Sequence, residues 1–436
     1  MVNQSTLDKQ IPIGFSDLFL DEAARLLWLA ETLRTLFARW GYAPVIPPTV
    51  VYAENLAVEL GTQIAQDMYR FFDRQGHTLA LRADLTVPVA RIVGTRLYDR
   101  PMPLRLCYVE RVFRQIAPQV GQRREFTQAG VELVGADTAQ ADAEVVALAA
   151  EALRTIGIGN FRLTIGQMGF FRALVNAVYL NDDEIRRLEQ AVDRRNDAQL
   201  CALLDELDLP AAIYALLRAL PTLSGGREVI DRARQILPRQ NLPRQILPRQ
   251  VLPVELIEAE LDRLEAVYDL LLAYGLNDTV LIDLGEVRGM EYYTGLVFQG
   301  YAAGVGTAVC GGGRYNDLIG HFGPSLPAVG FGLNLDLARQ AVTPTVNLCP
   351  DALVQGCAHP ECLAAVQTMR THGATVIVDT LELDDAELIR RAQTCGARAI
   401  LCRHPQGWQI IAADGSSRIV NPDKMIEEIE TWRTQC

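Results

Sequence analysis

The stretch that most narrows the possible folds is residues 104–135, LRLCYVERVFRQIAPQVGQRREFTQAGVELVG, two strand-like runs around a loop with Pro118 and Gly121. A strand alternates its side chains with a period of two. On the return run Arg124, Phe126, Gln128, Gly130 and Glu132 therefore share one face, and Glu125, Thr127, Ala129, Val131 and Leu133 share the other. The second set is mostly apolar and suits a core. The first aligns a guanidinium, an amide and a carboxylate, with Gly130 leaving room above the backbone. A dry interior would strand those groups without partners, so this face predicts the floor of a small-molecule site.

With 436 residues the chain is expected to hold more than one domain. Residues 21–40 place Ala24, Leu27, Leu29, Leu33, Leu36, Phe37 and Trp40 at helical spacing, with Asp17 or Asp21 as cap and Gly41 as stop. The prolines of GYAPVIPPTV then predict an extended edge segment. MYRFFDRQGHTLALRADLT reads as a hairpin turning at Arg74-Gln75-Gly76, followed by a strand that enters a helix. Arg82, Asp84 and Thr86 alternate onto one face, although an Asp just before a helix is also an ordinary N-cap. Residues 169–275 read as helical throughout. Within them, RQILP-RQNLP-RQILP-RQVLP (234–253) repeats a proline every fifth residue, which forbids a continuous helix and suits an extended surface loop. CGGGRYNDLIGHF is glycine-rich but lacks the GK[ST] ending of a phosphate loop.

After a linker near residues 344–350, strand and helix patterns alternate, predicting a small α/β domain over 351–436. From 345 to 436 there are 8 Lys and Arg against 12 Asp and Glu, a net charge of −4, and the whole chain carries −12. An acidic domain is poorly suited to gripping tRNA phosphates. The nine cysteines show no disulfide-like spacing, and CAHPEC sets Cys357, His359 and Cys362 close together without a CxxC pair. Buried free thiols suit that pattern better than a metal site, so no metal or cofactor is expected. No apolar run reaches the length of a membrane span and no signal-peptide core opens the chain, which predicts a cytoplasmic protein.

FRQIAPQVGQRREFTQAGVELVG resembles motif 2 of the histidyl-tRNA synthetase family. LRADLT (81–86) and VRGMEYYTG (287–295) agree with the same family in the same order. The resemblance covers roughly residues 12–342 and places CGGGRYNDLIGHF in a sheet turn. It implies an α+β fold: a class II aminoacyl-tRNA synthetase-like antiparallel sheet flanked by helices. The core would span residues 1–343 with the helical insertion inside it, followed by a degenerate anticodon-binding-like domain. The resemblance also makes Asp84, Thr86, Arg114, Gln128, Glu132, Arg288, Tyr292 and Tyr293 histidine-binding residues. Asp84, Thr86, Gln128 and Glu132 would surround the amino group, Tyr292 and Tyr293 the imidazole, and Arg288 the carboxylate. Residue types and ligand are compatible: carboxylates for an ammonium, arginine for a carboxylate, and tyrosines for an imidazole.

The family's ATP-binding pattern is broken. Arg114 keeps the motif 2 arginine, but Ile116 stands for a glutamate and Gln122 for an arginine, with Arg123 beside it as a substitute. Where motif 3 ends in Gly-x-Glu-Arg, this chain has Asn334, Leu335, Asp336 and Leu337. A leucine cannot donate to a phosphate, and losing such a donor costs about 3–4 kcal/mol in a transition state. A histidine pocket without activation machinery resembles the regulatory-subunit branch of the family. That resemblance implies a non-catalytic homodimer that assembles with a short-form ATP phosphoribosyltransferase catalytic subunit in a hetero-oligomer and conveys feedback by L-histidine. An active synthetase with an eroded motif 3 and a free-standing sensor of tRNA or histidine are the competing readings.

Overall fold

The computed structural model describes residues 10–54, 67–116, 123–178, 180–207, 209–237, 254–287, 292–342, 348–357, 359–412, 416–421, 424 and 427. They divide into two compact units, Met1–Pro344 and Thr345–Cys436.

The first unit opens with helix α1 (Asp21–Arg39), which buries Leu29, Leu33, Leu36 and Phe37 along one stripe. Leu20, not Asp17 or Asp21, occupies its N-cap, without a side-chain bond. Asp21 and Glu22 instead face the positive end of the helix dipole from its first turn. Leu27 was expected in the stripe but is 70% exposed. Gly41, at φ +80°, ends the helix in a conformation that L side chains rarely adopt.

The proline-bearing segment forms two short strands, β1 (Ala43–Pro44) and β2 (Val50–Tyr52). β3 (Arg70–Phe72) and β4 (Thr78–Leu81) follow, and β2-β4-β3 make a small sheet. Helix α2 (Thr86–Ile92) comes next. The long hairpin is β5 (Leu104–Phe113) and β6 (Glu125–Val134), antiparallel with Tyr108 opposite Gly130 and Leu106 opposite Glu132. Its apolar face behaves as the alternation predicts: Ala129, Val131 and Leu133 are buried in the main core. There they join the alanine-rich α3 (Ala139–Thr155), whose small side chains let helix and sheet approach closely.

Strand β7 (Phe161–Gln167) leads into the insertion, helices α4 (Met168–Asn176), α5 (Asp182–Asp193), α6 (Asp197–Glu206) and α7 (Ala211–Ala219). The insertion is not helical throughout. A two-residue strand, β8 (Ser224–Gly225), interrupts it before α8 (Glu228–Ile236) and α9 (Val254–Ala273). Of the proline repeat, Arg234–Ile236 close α8, and Arg234 is spent on Glu258, Asp262 and Glu265 of α9. Positions 238–253 lie outside the described residues.

β9 (Val280–Asp283), β10 (Leu296–Ala302), β11 (Ala308–Arg314) and β12 (Ala328–Asn334) complete the large sheet, and α10 (Leu335–Ala341) follows directly. The strand order is β1-β5-β6-β12-β11-β10-β7-β9-β8, antiparallel except at β1/β5 and β7/β9. The CGGG run is therefore strand β11 in the sheet interior, not a sheet turn. Glycine is a weak strand former. Here its lack of a side chain is what the site requires.

The second unit has a five-stranded sheet, ordered β14-β13-β15-β16-β17. Its elements are β13 (Ala352–Val354), α11 (Pro360–Thr371), β14 (Val376–Val378), α12 (Asp385–Cys395), β15 (Ala399–His404), β16 (Gly407–Ala412) and β17 (Ser417–Val420). β13 runs parallel to both β14 and β15. Val366 of α11 and Leu388 of α12 belong to two separate apolar clusters, one on each face of the sheet. Among the described residues of both units, no helix is long and apolar enough to cross a membrane.

Candidate functional site

Glu132 points from β6 onto the polar face of the large sheet and is fully buried. Three hydroxyls donate to its carboxylate: Thr86 at 2.8 Å, Tyr108 at 3.1 Å, and Tyr315 through a short bond. Burial pushes the Glu132 carboxyl up to about 8, against the downward pull of the bonds from Tyr315, Thr86 and Tyr108; neighbouring Asp84 adds to the rise. The Asp84 carboxyl is also raised by burial, opposed by the Val87 N–H and the Arg114 charge. Leu85, not Asp84, is the N-cap of α2, although the Asp84 side chain still bonds the helix's first turn. One oxygen accepts from Val87 N at 3.0 Å, in the first turn of α2, and the other accepts from Tyr292 OH at 3.3 Å.

Tyr292 packs edge-on to both Tyr293 and Tyr315. Burial raises the Tyr292 and Tyr315 hydroxyls well above their ordinary value, so both remain protonated donors. Arg114 donates from Nε to Ala83 O at 2.9 Å, and its guanidinium lies over the Phe126 ring. Gln128 Oε1 is buried and has no hydrogen-bond donor among the described residues. It is an acceptor available to a ligand cation.

Beside these groups the sheet carries almost no side chains. Gly130, Gly332 and Gly311 stand opposite one another across β6, β12 and β11, and Glu132, Gly330 and Gly313 form the adjacent row. The Gln128 amide lies across Gly332, the Glu132 carboxylate across Gly330, and the Tyr293 ring across Gly313. A Cβ at residue 330 would overlap the carboxylate and come within 2.5 Å of Val131 O. Gly330→Ala is therefore expected to cost about 1–3 kcal/mol of stability, read as a lower denaturant midpoint. An unchanged midpoint would show that this row tolerates side chains.

Where the family's ATP-binding pattern is broken, the side chains make contacts of their own. Asn334 caps α10, accepting from Asp336 N and Leu337 N at 3.0 and 3.1 Å. Asp336 accepts from Thr127 N at 2.9 Å and from Arg123 Nη1 at 3.2 Å, and Arg339 Nε lies 3.6 Å away. Arg123, expected as a substitute for the arginine missing at Gln122, is paired with Asp336. Leu337 packs against the main core, and Ile116 is half-buried, its carbonyl accepting from Arg124 Nε at 3.1 Å. Neither side chain can meet a phosphate.

The structure thus brings Asp84, Thr86, Gln128, Glu132, Tyr292 and Tyr293 into one neighbourhood, with Arg114 adjoining. Arg288, Gln122, Pro118 and Gly121 lie outside the described residues. Arg82 faces elsewhere and braces the fold, bonding Arg111 O, Pro47 O and Glu110. Sequence reasoning missed Tyr108 and Tyr315. Tyr108 lies two residues from Leu106 on a visible alternation, but its place over Gly130 depends on a register that the long loop conceals. No group of three His, Cys, Asp or Glu able to hold a metal occurs among the described residues.

The fold is that of a class II synthetase-like core, with a cluster of buried carboxylates and tyrosines on the polar face of its large sheet. The histidyl-tRNA synthetase family model matches residues 14–337. An ATP phosphoribosyltransferase regulatory subunit from Moorella thermoacetica is 38% identical over 397 residues, covering 90% of this chain and 97% of the relative. Another, from Syntrophotalea carbinolica, is 40% identical over 329 residues, 75% of this chain and 73% of the relative. The crystal structure of an ATP phosphoribosyltransferase regulatory subunit/histidyl-tRNA synthetase from Bacillus halodurans superimposes with a TM-score of 0.77 at 30% identity, covering 90% of this chain and 98% of that one. The chain belongs to the ATP phosphoribosyltransferase regulatory subunits, the non-catalytic branch of the histidyl-tRNA synthetase-like family that serves histidine biosynthesis.

Proposed function

We propose that this regulatory subunit binds L-histidine in the cradle of Asp84, Thr86, Arg114, Gln128, Glu132, Tyr292 and Tyr293, with Arg288 completing it at the carboxylate. Bound to a short-form catalytic subunit in the cytoplasm, it passes histidine occupancy to that partner. One observation carries the reading. The groups suited to an amino acid converge, while Asp336 pairs with Arg123 and Leu337 packs against the core. Regulation follows from linkage: histidine shifts activity only by binding one arrangement of the complex better than another. A homodimer suits the unpartnered apolar side chains of Leu27, Ile46 and Phe72, which are 70%, 78% and 73% exposed around the first helix and the small sheet. The acidic C-terminal unit gives no reason to invoke tRNA.

The test is reconstitution. Adding this protein to a short-form catalytic subunit should raise phosphoribosyl-ATP formation, and histidine should suppress the gain. The protein alone should show no histidine-dependent ATP–pyrophosphate exchange. No gain on mixing would overturn the assignment, and exchange activity would return the chain to the synthetases.

The raised Glu132 carboxyl adds a pH signature. Folded, it titrates near 8 instead of 4.5, so between those values the folded chain holds a proton that the unfolded chain has released. Its contribution to stability is full below about 4.5 and is lost as pH rises through about 8. A cationic ligand nitrogen favours the ionised carboxylate, so binding at pH 7 should release close to one proton. Apparent affinity should then rise about fivefold between pH 7 and 8. Calorimetry in buffers of different ionisation enthalpy reads the proton count, and zero release would mean that Glu132 does not face the ligand charge.

A further inference from the structure

In the second unit, two cysteines meet that the histidine reading does not use. Cys357 follows the end of β13 and is partly exposed, whereas Cys362 sits in the first turn of α11 and is 3% exposed. Their sulfurs lie 2.9 Å apart, with the Cys362 thiol donating to Cys357. Arg403 stands beside them, paired with Glu361 at 3.4 Å. Other described thiols make different contacts: Cys107 with Tyr42 O, Cys201 with Asp197, and Cys395 with Ala392 O.

We propose that Cys357 and Cys362 form a reversible dithiol–disulfide couple, a modification site oxidised by low-molecular-weight disulfides. Cys357 is the attacking thiol. The hydrogen bond from Cys362, the His359 backbone N–H and the Arg403 charge hold its thiol below the ordinary value. Cys362 is the resolving thiol: burial and the adjacent Cys357 push it up to about 11, so it stays protonated until the second step.

The Cys357 thiolate attacks one sulfur of the small disulfide, forming a mixed disulfide and expelling a small thiolate. Cys362 then gives up its proton and attacks Cys357 Sγ, breaking the mixed disulfide and expelling the second thiolate. Two electrons pass from the cysteine pair to the small disulfide, and the two protons end on two small thiols. Bonding requires the sulfurs to close from 2.9 Å to about 2.0 Å. The bond would close only a very short loop, so it restricts the unfolded chain little. That marks a reducible couple and not a structural staple.

The experiment equilibrates the full-length protein in glutathione buffers of increasing oxidised fraction, quenches in acid, alkylates free thiols and maps peptides by mass. The expected result is paired loss of alkylation at Cys357 and Cys362, reversed by reduced glutathione, while Cys349 on the same peptide keeps its label. Cys362→Ser should trap glutathione on Cys357, Cys357→Ser should leave Cys362 unmodified, and Arg403→Gln should slow oxidation several-fold at neutral pH. Full alkylation of both cysteines at every ratio would overturn the proposal. So would pairing through Cys349, or a wild-type mixed disulfide at Cys357 that never resolves.

Discussion

Asp142→Ala should destabilise the first unit by about 3–5 kcal/mol, read as a large drop in the denaturant midpoint. Asp142 is fully buried in α3 and accepts from Arg314 Nε at 2.8 Å and Arg263 Nε at 2.9 Å. Arg314 ends the glycine strand β11 and is 1% exposed, so it cannot swing to water once its counter-charge is gone. Asp137 lies 3.5 Å from Arg314 Nη1 but is 48% exposed, and its attraction is screened. Adding Arg314→Met to the alanine variant should recover part of the loss, because it removes the buried charge that the first change left behind. A midpoint indistinguishable from wild type would mean that the Arg314 charge is solvated by a route other than Asp142.

Glu132→Gln should separate binding from folding. In the empty site burial keeps this carboxyl neutral at pH 7, because it is pushed up to about 8. A neutral amide of nearly the same shape should leave stability near pH 7 close to wild type. Histidine meets a different residue, since the amide cannot ionise to balance a ligand cation. Removing one member of a buried charge pair costs about 2–4 kcal/mol here, roughly a 30- to 1,000-fold loss of affinity. Titration calorimetry on the variant decides the matter. Unchanged affinity would remove Glu132 from the histidine site, whatever the stability.

The parts of this site that could be read in the sequence obey local rules. Alternation alone put Gln128, Gly130 and Glu132 on one face and Ala129, Val131 and Leu133 on the other, as the buried core bears out. Helical spacing found α1 within a residue, yet failed at Leu27, because periodicity cannot tell a core-facing stripe from an apolar surface. The misses were tertiary. The family resemblance put the glycines of β11 in a sheet turn, and they form an interior strand. Their purpose appears only when the Tyr293 ring lies across Gly313. Tyr315 reaches Glu132 from far along the chain, and no local pattern signals that closure. Nothing in the order of residues shows Asp336 pairing with Arg123.

That pairing crowds the start of α10 with charge. An arginine placed at position 337 would arrive beside Asp336, where Arg123 and Arg339 already gather and the Thr127 amide holds the carboxylate. One acidic side chain thereby fastens the long hairpin to the helix that follows the last strand of the sheet.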